Sequence, residues 1–351
     1  MYINGIGCIS PQPTFNNQVF LEEIKEYNTN RIYCVDTDYS KFFDVTALRR
    51  MSRIVKYGTA AGLIALNDAG IKTPDAISTG TGYGLLELSQ RFLRDFISTN
   101  EGVVSPTSFI QSTHNTVSSN IALLTACHGH NNTFSQKWFS LESALYDAQF
   151  LLKEGKQNVL VGTYEEIGEF NYASLMQTND LQAEPCSNLA MFSQNNDGVI
   201  VGEGAAYFLM AHEQNTTTYC KLKAFKTAHN NENIEILLQE FLAKNNLRNS
   251  DVDVVMNGMN GDKSNDAVFN TINKNLFEDA TQLAYKHLCG EHMTAVSFAI
   301  YAIAQIFKQQ QIPSTLVLKN AERESNVILL HNKYKSYHSF FIFEKCLNIV
   351  L

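Results

Sequence analysis

The sequence predicts an α/β fold made of two related halves, each a sheet covered by helices. Two observations carry this. Strand-like segments alternate with helix-like segments along the first part of the chain, and the alternation then runs a second time, the pattern that puts strands in a sheet and helices on its faces. The composition, 44% apolar and 18% charged over 351 residues, supplies the large core such a sheet needs. No strict sequence repeat accompanies the alternation, so the expected duplication is one of topology, with halves at 1–210 and 211–351.

The elements follow in order. Tyr2–Ile9 alternates apolar and small residues and stops before Pro11, as a strand does. Residues 12–50 are polar and mixed and read as loops. Residues 51–69 hold no proline and many helix formers, with Gly70 where a C-terminal cap belongs. Ala76–Gly80 is a strand, followed by a glycine turn and a helix over 85–98. Residues 107–127 pass from a polar turn into a helix around 119–127. A strand at 132–136 feeds a helix at 139–153, whose Leu141, Ala144, Leu145, Ala148 and Leu152 share one face. Residues 158–163 form a buried-type strand, and 205–210 another. The second pass gives a strand at 221–226, a helix at Ile234–Lys244, a strand at 252–256, helices at 266–276 and 295–309, and strands near Val327 and Phe340.

Composition also excludes function classes. With 27 basic against 35 acidic residues the chain carries a net charge of -8, which argues against nucleic acid as a partner. No apolar run approaches the ~18 residues of a membrane helix; the richest, 298–307, reads as a buried helix. Residues 1–11 have neither the basic nor the apolar region of an export signal, so a cytoplasmic protein is expected. The seven cysteines are dispersed with no C-x-x-C pair, which suits reduced core thiols. Cys127, His128 and His130 lack a second group at ligand spacing, so a polar turn is expected there and neither a metal nor a cofactor. Gly80-Thr81-Gly82-Tyr83-Gly84 lies between a strand and a helix, but Leu85 stands where a dinucleotide fingerprint needs its third glycine. A tight turn is the plainer reading.

Longer motifs are more specific. Asp197-Gly198-Val199-Ile200-Val201-Gly202-Glu203-Gly204-Ala205-Ala206 resembles the DG…GEGA signature of β-ketoacyl synthases, found there near the end of the first half of a thiolase-like fold. Ser78-Thr79-Gly80-Thr81-Gly82 looks like that family's first-half glycine turn, and 158–165 like its strand ending in a glutamate. Lys286-His287-Leu288-Cys289-Gly290 resembles the K-x-x-x-G that introduces an active-site histidine. The pieces are collinear and cover most of the chain, although the whole is shorter than usual for the family. The resemblance implies a thiolase-like α/β fold in a layered αβαβα arrangement, usually dimeric through the first-half sheet edge.

A ketosynthase site needs three actors. A cysteine at a helix N-terminus attacks an acyl thioester as its thiolate, and two histidines stabilise the oxyanion and assist decarboxylation of a malonyl unit. Laid over the family's strand-to-helix elbow, residues 132–144 put Trp138 at the nucleophile, and no shift restores a thiol because 128–185 contain none. An indole offers one N–H and no nucleophile, so Trp138 is expected to plug the pocket mouth. The family's H-G-T-x-T-x-x-N-D resembles 258–266, where only Asn265-Asp266 survive and Gly258 takes the first histidine's place. The second histidine's place falls on Glu291, with His292 one residue later. The family's glycine-rich gating loop is replaced by 332–337, Asn-Lys-Tyr-Lys-Ser-Tyr.

The remaining polar residues, Lys286, Glu291, His292, Asp262 and Asn260, are expected to converge, either as a residual acid–base cluster or as a structural ion-pair network. Ser135 and Ser140 flank the elbow outside any G-x-S-x-G, and His114 reads as a turn residue near the dimer face. Joint loss of nucleophile and histidines looks like the chain-length-factor side of the family. The resemblance therefore implies a non-catalytic ketosynthase-like subunit of a type II fatty acid or polyketide system of polyene type. Its partners would be an active β-ketoacyl-ACP synthase, in a heterodimer, and the acyl carrier protein. The alternatives are a diverged decarboxylase, acyltransferase or thioesterase using Lys286, Glu291 and His292, and a homodimeric acyl binder.

Overall fold

The computed structural model describes residues 1–178, 180–182, 184–193, 197–230 and 233–346. Strand β1 (Tyr2–Ile9) lies under a long helix, and its glycines are the reason: a Cβ on Gly7 would fall 2.2 Å from the carbonyl oxygen of Ala61. Residues 12–50, expected as loop, contain a 3-10 turn (Tyr39–Lys41) and a short helix, α1 (Val45–Arg50), which Asp44 caps by accepting from the Ala47 amide. That β-branched start conceals the helix in the sequence. The long helix α2 (Arg53–Asp68) is followed by Gly70 at φ 69.

Strand β2 (Ala76–Gly80) leads to α3 (Leu86–Ser98), α4 (Pro106–Gln111) and α5 (Thr116–Thr125); α5 is the helix expected near 119–127, begun three residues earlier, and α4 forms where a polar turn was expected. Then come β3 (His130–Phe134), α6 (Ser140–Lys153), β4 (Asn158–Glu165), α7 (Glu169–Gln177) and β5 (Gly204–Ala211). The second pass runs β6 (Cys220–His229), α8 (Ile234–Lys244), β7 (Val254–Asn257), α9 (Lys263–Leu276), β8 (Thr281–Ala284) and α10 (Lys286–Cys289). It ends with α11 (Val296–Gln309), β9 (Val317–Lys319), β10 (Val327–Tyr334) and β11 (Tyr337–Glu344).

The strands join in the order β3-β2-β4-β5-β1-β6-β11-β10-β7-β8-β9. The run β3-β2-β4-β5-β1 is matched strand for strand by β8-β7-β10-β11-β6. In each, two parallel pairs (β2 with β3 and β4; β7 with β8 and β10) are followed by two antiparallel ones. Among the described residues the two runs meet through two residue pairs of β1 and β6, Tyr2↔Lys221 and Ile3↔Cys220.

Helices complete the layers. α2 covers β1, β4 and β5 on one outside, with α5 beside it. α8 and α9 cover the other, packing Leu238, Phe241 and Ile272 on Val255, Leu329 and Ile342. α6 and α11 lie between. α11 is buried from Val296 to Phe307 and touches β1 and β5 on one side and β6 and β10 on the other, which explains why it is apolar all round. The fold is the mixed α/β, thiolase-like one that the motifs imply. Among the described residues no helix is long and apolar enough to cross a membrane.

Candidate functional site

The site lies where the first-half elbow meets the second half. β3 ends at Phe134, and the chain turns through Lys137, held at φ 52, into one 3-10 turn (Lys137–Phe139) and then α6. The turn presents Trp138 to the second half, where its indole stacks on Tyr334 at the end of β10, centroids 3.9 Å apart and planes 20° apart. The space behind this pair, bounded by Glu165, Asn171, Gly202, Glu291 and His292, amounts to about 30 Å³. That is room for one water and not for an acyl chain.

The flanking serines are committed to structure. Ser140 Oγ donates to the carbonyls of Lys137 (2.7 Å) and Thr81 (3.1 Å) and accepts from the Gln136 amide, while Ser135 Oγ donates to the Gly82 carbonyl. The glycine turn is likewise fastened from within. The Gly82 and Tyr83 amides donate to Glu165 at 2.7 and 2.9 Å, so the N–H groups that would hold a phosphate are already used. Burial pushes the Glu165 carboxyl up to about 7 against the pull of those donors, and pushes the neighbouring Glu166 up to about 8. Sequence reading missed Glu166; two adjacent glutamates closing an apolar strand were the available signal.

On the facing side, α10 and the turn after it deliver Lys286 and Glu291. Lys286 Nζ donates to Glu291 Oε2 at 2.8 Å and to the Lys333 carbonyl at 3.2 Å, and Asn260 Nδ2 donates to the same Glu291 oxygen at 2.7 Å. Both charged side chains are almost fully buried, 1% and 2% exposed. Burial raises the Glu291 carboxyl above its ordinary value, opposed by Lys286 and Asn260. His292 lines the same void and contacts Thr294 Oγ1 through Nδ1 at 3.3 Å; burial and then Lys286 push it down to about 3, so its ring is neutral.

Lys286, Glu291, Asn260 and His292 thus come together. Asp262 does not join them. Its carboxylate caps α9, accepting from the Asn265 amide, and also takes the Gly198 amide and the Ser264 hydroxyl. Asp266 is spent on the Asn260 and Gly261 amides.

Gly258 has no room for an imidazole. A Cβ there would lie 2.8 Å from Asn332 Oδ1 and 2.9 Å from Asn332 Cα, and that oxygen already accepts from the Tyr285 hydroxyl at 2.8 Å. Residues 332–337 form the end of the β10–β11 hairpin, paired down to Tyr334↔Tyr337. The 197–206 signature holds the second half in place: the Gly202 amide donates to the Glu291 carbonyl and the Glu291 amide to the Ile200 carbonyl. Glu203 accepts from the Cys34 amide at 2.8 Å and pairs with the Arg53 guanidinium.

His130, expected in a polar turn, instead begins β3 and pairs with Asp147 at 2.9 Å. Among the described residues no group of three or more His, Cys, Asp or Glu is placed to hold a metal ion.

Comparison with known proteins bears on this geometry. Residues 40–250 match the family described as beta-ketoacyl synthase, N-terminal domain. Two curated proteins named 3-oxoacyl-[acyl-carrier-protein] synthase 2 are similar. The one from Vibrio cholerae serotype O1 is 23% identical over 185 residues, and the one from Vibrio harveyi is 22% identical over 187. Those matches take in 49% and 50% of this chain but only 44% and 45% of the relatives' own length.

Solved structures share the fold across nearly all of the chain. The ishigamide ketosynthase/chain length factor has a TM-score of 0.80 at 15% identity, covering 99% of each chain. A beta-ketoacyl synthase from Burkholderia phymatum STM815 has a TM-score of 0.78 at 15% identity and the same coverage. A type II PKS acyl-carrier protein in complex with its ketosynthase has 0.68 at 15%, covering 98% of this chain and 99% of that one.

Proposed function

The chain belongs to the β-ketoacyl synthase family, and from that premise we propose that it is a non-catalytic, chain-length-factor-like subunit, with halves at 1–210 and 211–351. The observation that carries this reading is the elbow: Trp138 stands where the nucleophile would be, stacks on Tyr334 and leaves about 30 Å³ behind it. A condensing site needs a thiolate, an oxyanion site and room for two thioesters. The absence of a cysteine from 128–185, the packing at Gly258 and the small void argue against each in turn. The same small void disfavours a homodimeric acyl binder.

A pairing role is supported by the sheet edge that leads into the elbow. β3 ends the sheet, so among the described residues one side of it has no strand partner. The flanking helices leave apolar side chains in solvent there, Leu123 (81%) and Leu124 (53%) on α5 and Phe150 (61%) on α6. A second subunit of the same fold would extend the sheet and cover these side chains. The partner in this reading is an active β-ketoacyl-ACP synthase served by an acyl carrier protein, in a cytoplasmic type II system of polyene type.

The alternative, a diverged acyl-thioester enzyme using Lys286, Glu291 and His292, would have to work with a lysine and a glutamate already paired at 2.8 Å and almost fully buried, beside a void of about 30 Å³. Co-expression with the ketosynthases of the native source tests the proposal. A stable one-to-one complex with one of them is expected, and failure to co-purify with any of them contradicts it.

A further inference from the structure

The segment that carries the elbow lies along the second half by a stripe of rings. Trp138 stacks on Tyr334, Phe139 meets Tyr337 edge-on at 5.0 Å, and Tyr146 meets Phe225 of β6 at 4.4 Å. In the middle of the stripe stands Glu142, 1% exposed, with no hydrogen bond of good geometry to either carboxylate oxygen among the described residues. Ser339 of β11 faces it, its hydroxyl the one side-chain group whose hydrogen bonding favours the carboxylate against burial. The titratable groups facing it are Tyr146 of its own helix and Tyr285 ahead of α10, both shifted upward by burial and so neutral. Among the described residues no cation pairs with Glu142. Burial pushes its carboxyl up to about 7.

A neutral carboxyl is tolerable among rings and one hydroxyl. A carboxylate is not, because it needs several donors and Ser339 offers one at most. A leucine or glutamine would fill the same place without this sensitivity.

We infer that Glu142 is a proton-held latch between the halves: while neutral it lets the elbow helix lie on the β10–β11 hairpin, and on ionising it lifts Trp138 from Tyr334. Lifting would open the void beside Glu291 and His292 to solvent. The latch closes on the acid side and opens on the alkaline side, whether or not the chain pairs with a ketosynthase.

Trp138 is the only tryptophan in the chain, so all indole emission comes from this contact, and the Glu142 variants separate the latch from Glu165 and Glu166 beside the same void. Emission and acrylamide quenching are recorded from about pH 6 to pH 9, with far-UV circular dichroism at each point. In the unmodified chain, quenching is expected to rise about twofold and the emission to move red around or above neutrality, with secondary structure unchanged. Glu142→Gln should hold the low-pH signal throughout, and Glu142→Leu serves equally if the amide variant does not fold. Tyr334→Leu, which removes the stacking partner, should show high quenching at every pH. A flat profile in the unmodified chain overturns the latch. So does an unchanged transition in either Glu142 variant.

Discussion

At Gly258 the strand that would offer an imidazole to a thioester meets its neighbour's backbone instead. A methyl group there would sit within 3 Å of two Asn332 atoms, one of them a Cα that cannot swing away. Gly258→Ala should therefore cost about 1–3 kcal/mol, the usual range for overpacking a filled site, read as a lower urea midpoint with an unchanged slope. Gly258→His should cost more and restore no activity. Single residues were unevenly legible. That residues 128–185 hold no cysteine could be read from the sequence, because a cysteine is either present or absent over a stretch. Glu142 could not, since a glutamate on an amphipathic helix reads as solvent-facing until the β6–β11 strands of the other half are laid over it. Tyr334 was visible only as one of several non-glycine residues at 332–337, because nothing local specifies which ring another half of the chain will meet.

Elements were most legible where one physical signal dominated. β4 and β5 are apolar runs buried on both faces, and α11 is a helix buried between the two matched runs of strands; each announces itself by composition. β8 and α10 span four residues each, too short for a period to emerge, yet α10 delivers Lys286 to the site. The β10–β11 hairpin shows how one exchange recasts an element. Where relatives are expected to hold a glycine-rich loop, this chain closes two strands in register from Val327↔Glu344 to Tyr334↔Tyr337, with Lys335 accepting φ 52 at the turn. A lysine at positive φ costs about 1 kcal/mol, offset by the strand pairing on either side, and the result fixes Tyr334 over the elbow.

For the whole molecule, the duplicated strand order was foreseen only as an alternation of elements. Which strands pair depends on contacts hundreds of residues apart, such as Tyr2 with Lys221, that no window of sequence contains. The free β3 edge bears on pairing. Leu123 and Leu124 touch little within the chain, so Leu123→Asp with Leu124→Asp should leave thermal unfolding nearly unchanged, since exposed substitutions usually shift stability by about 0.5 kcal/mol or less. The same pair should abolish co-purification with a ketosynthase partner, because two desolvated carboxylates at a joined sheet edge are strongly unfavourable. Loss of fold in that variant, or an undiminished complex, would remove β3 as the pairing edge.

Intact-mass analysis of the purified chain after incubation with malonyl- and acyl-thioesters, with released carbon dioxide trapped, probes most directly whether the indole has replaced the chemistry. An unmodified mass and no carbon dioxide above the protein-free control are expected. An acyl adduct on any thiol, or carbon dioxide released at a rate that Glu291→Ala abolishes, would contradict the account.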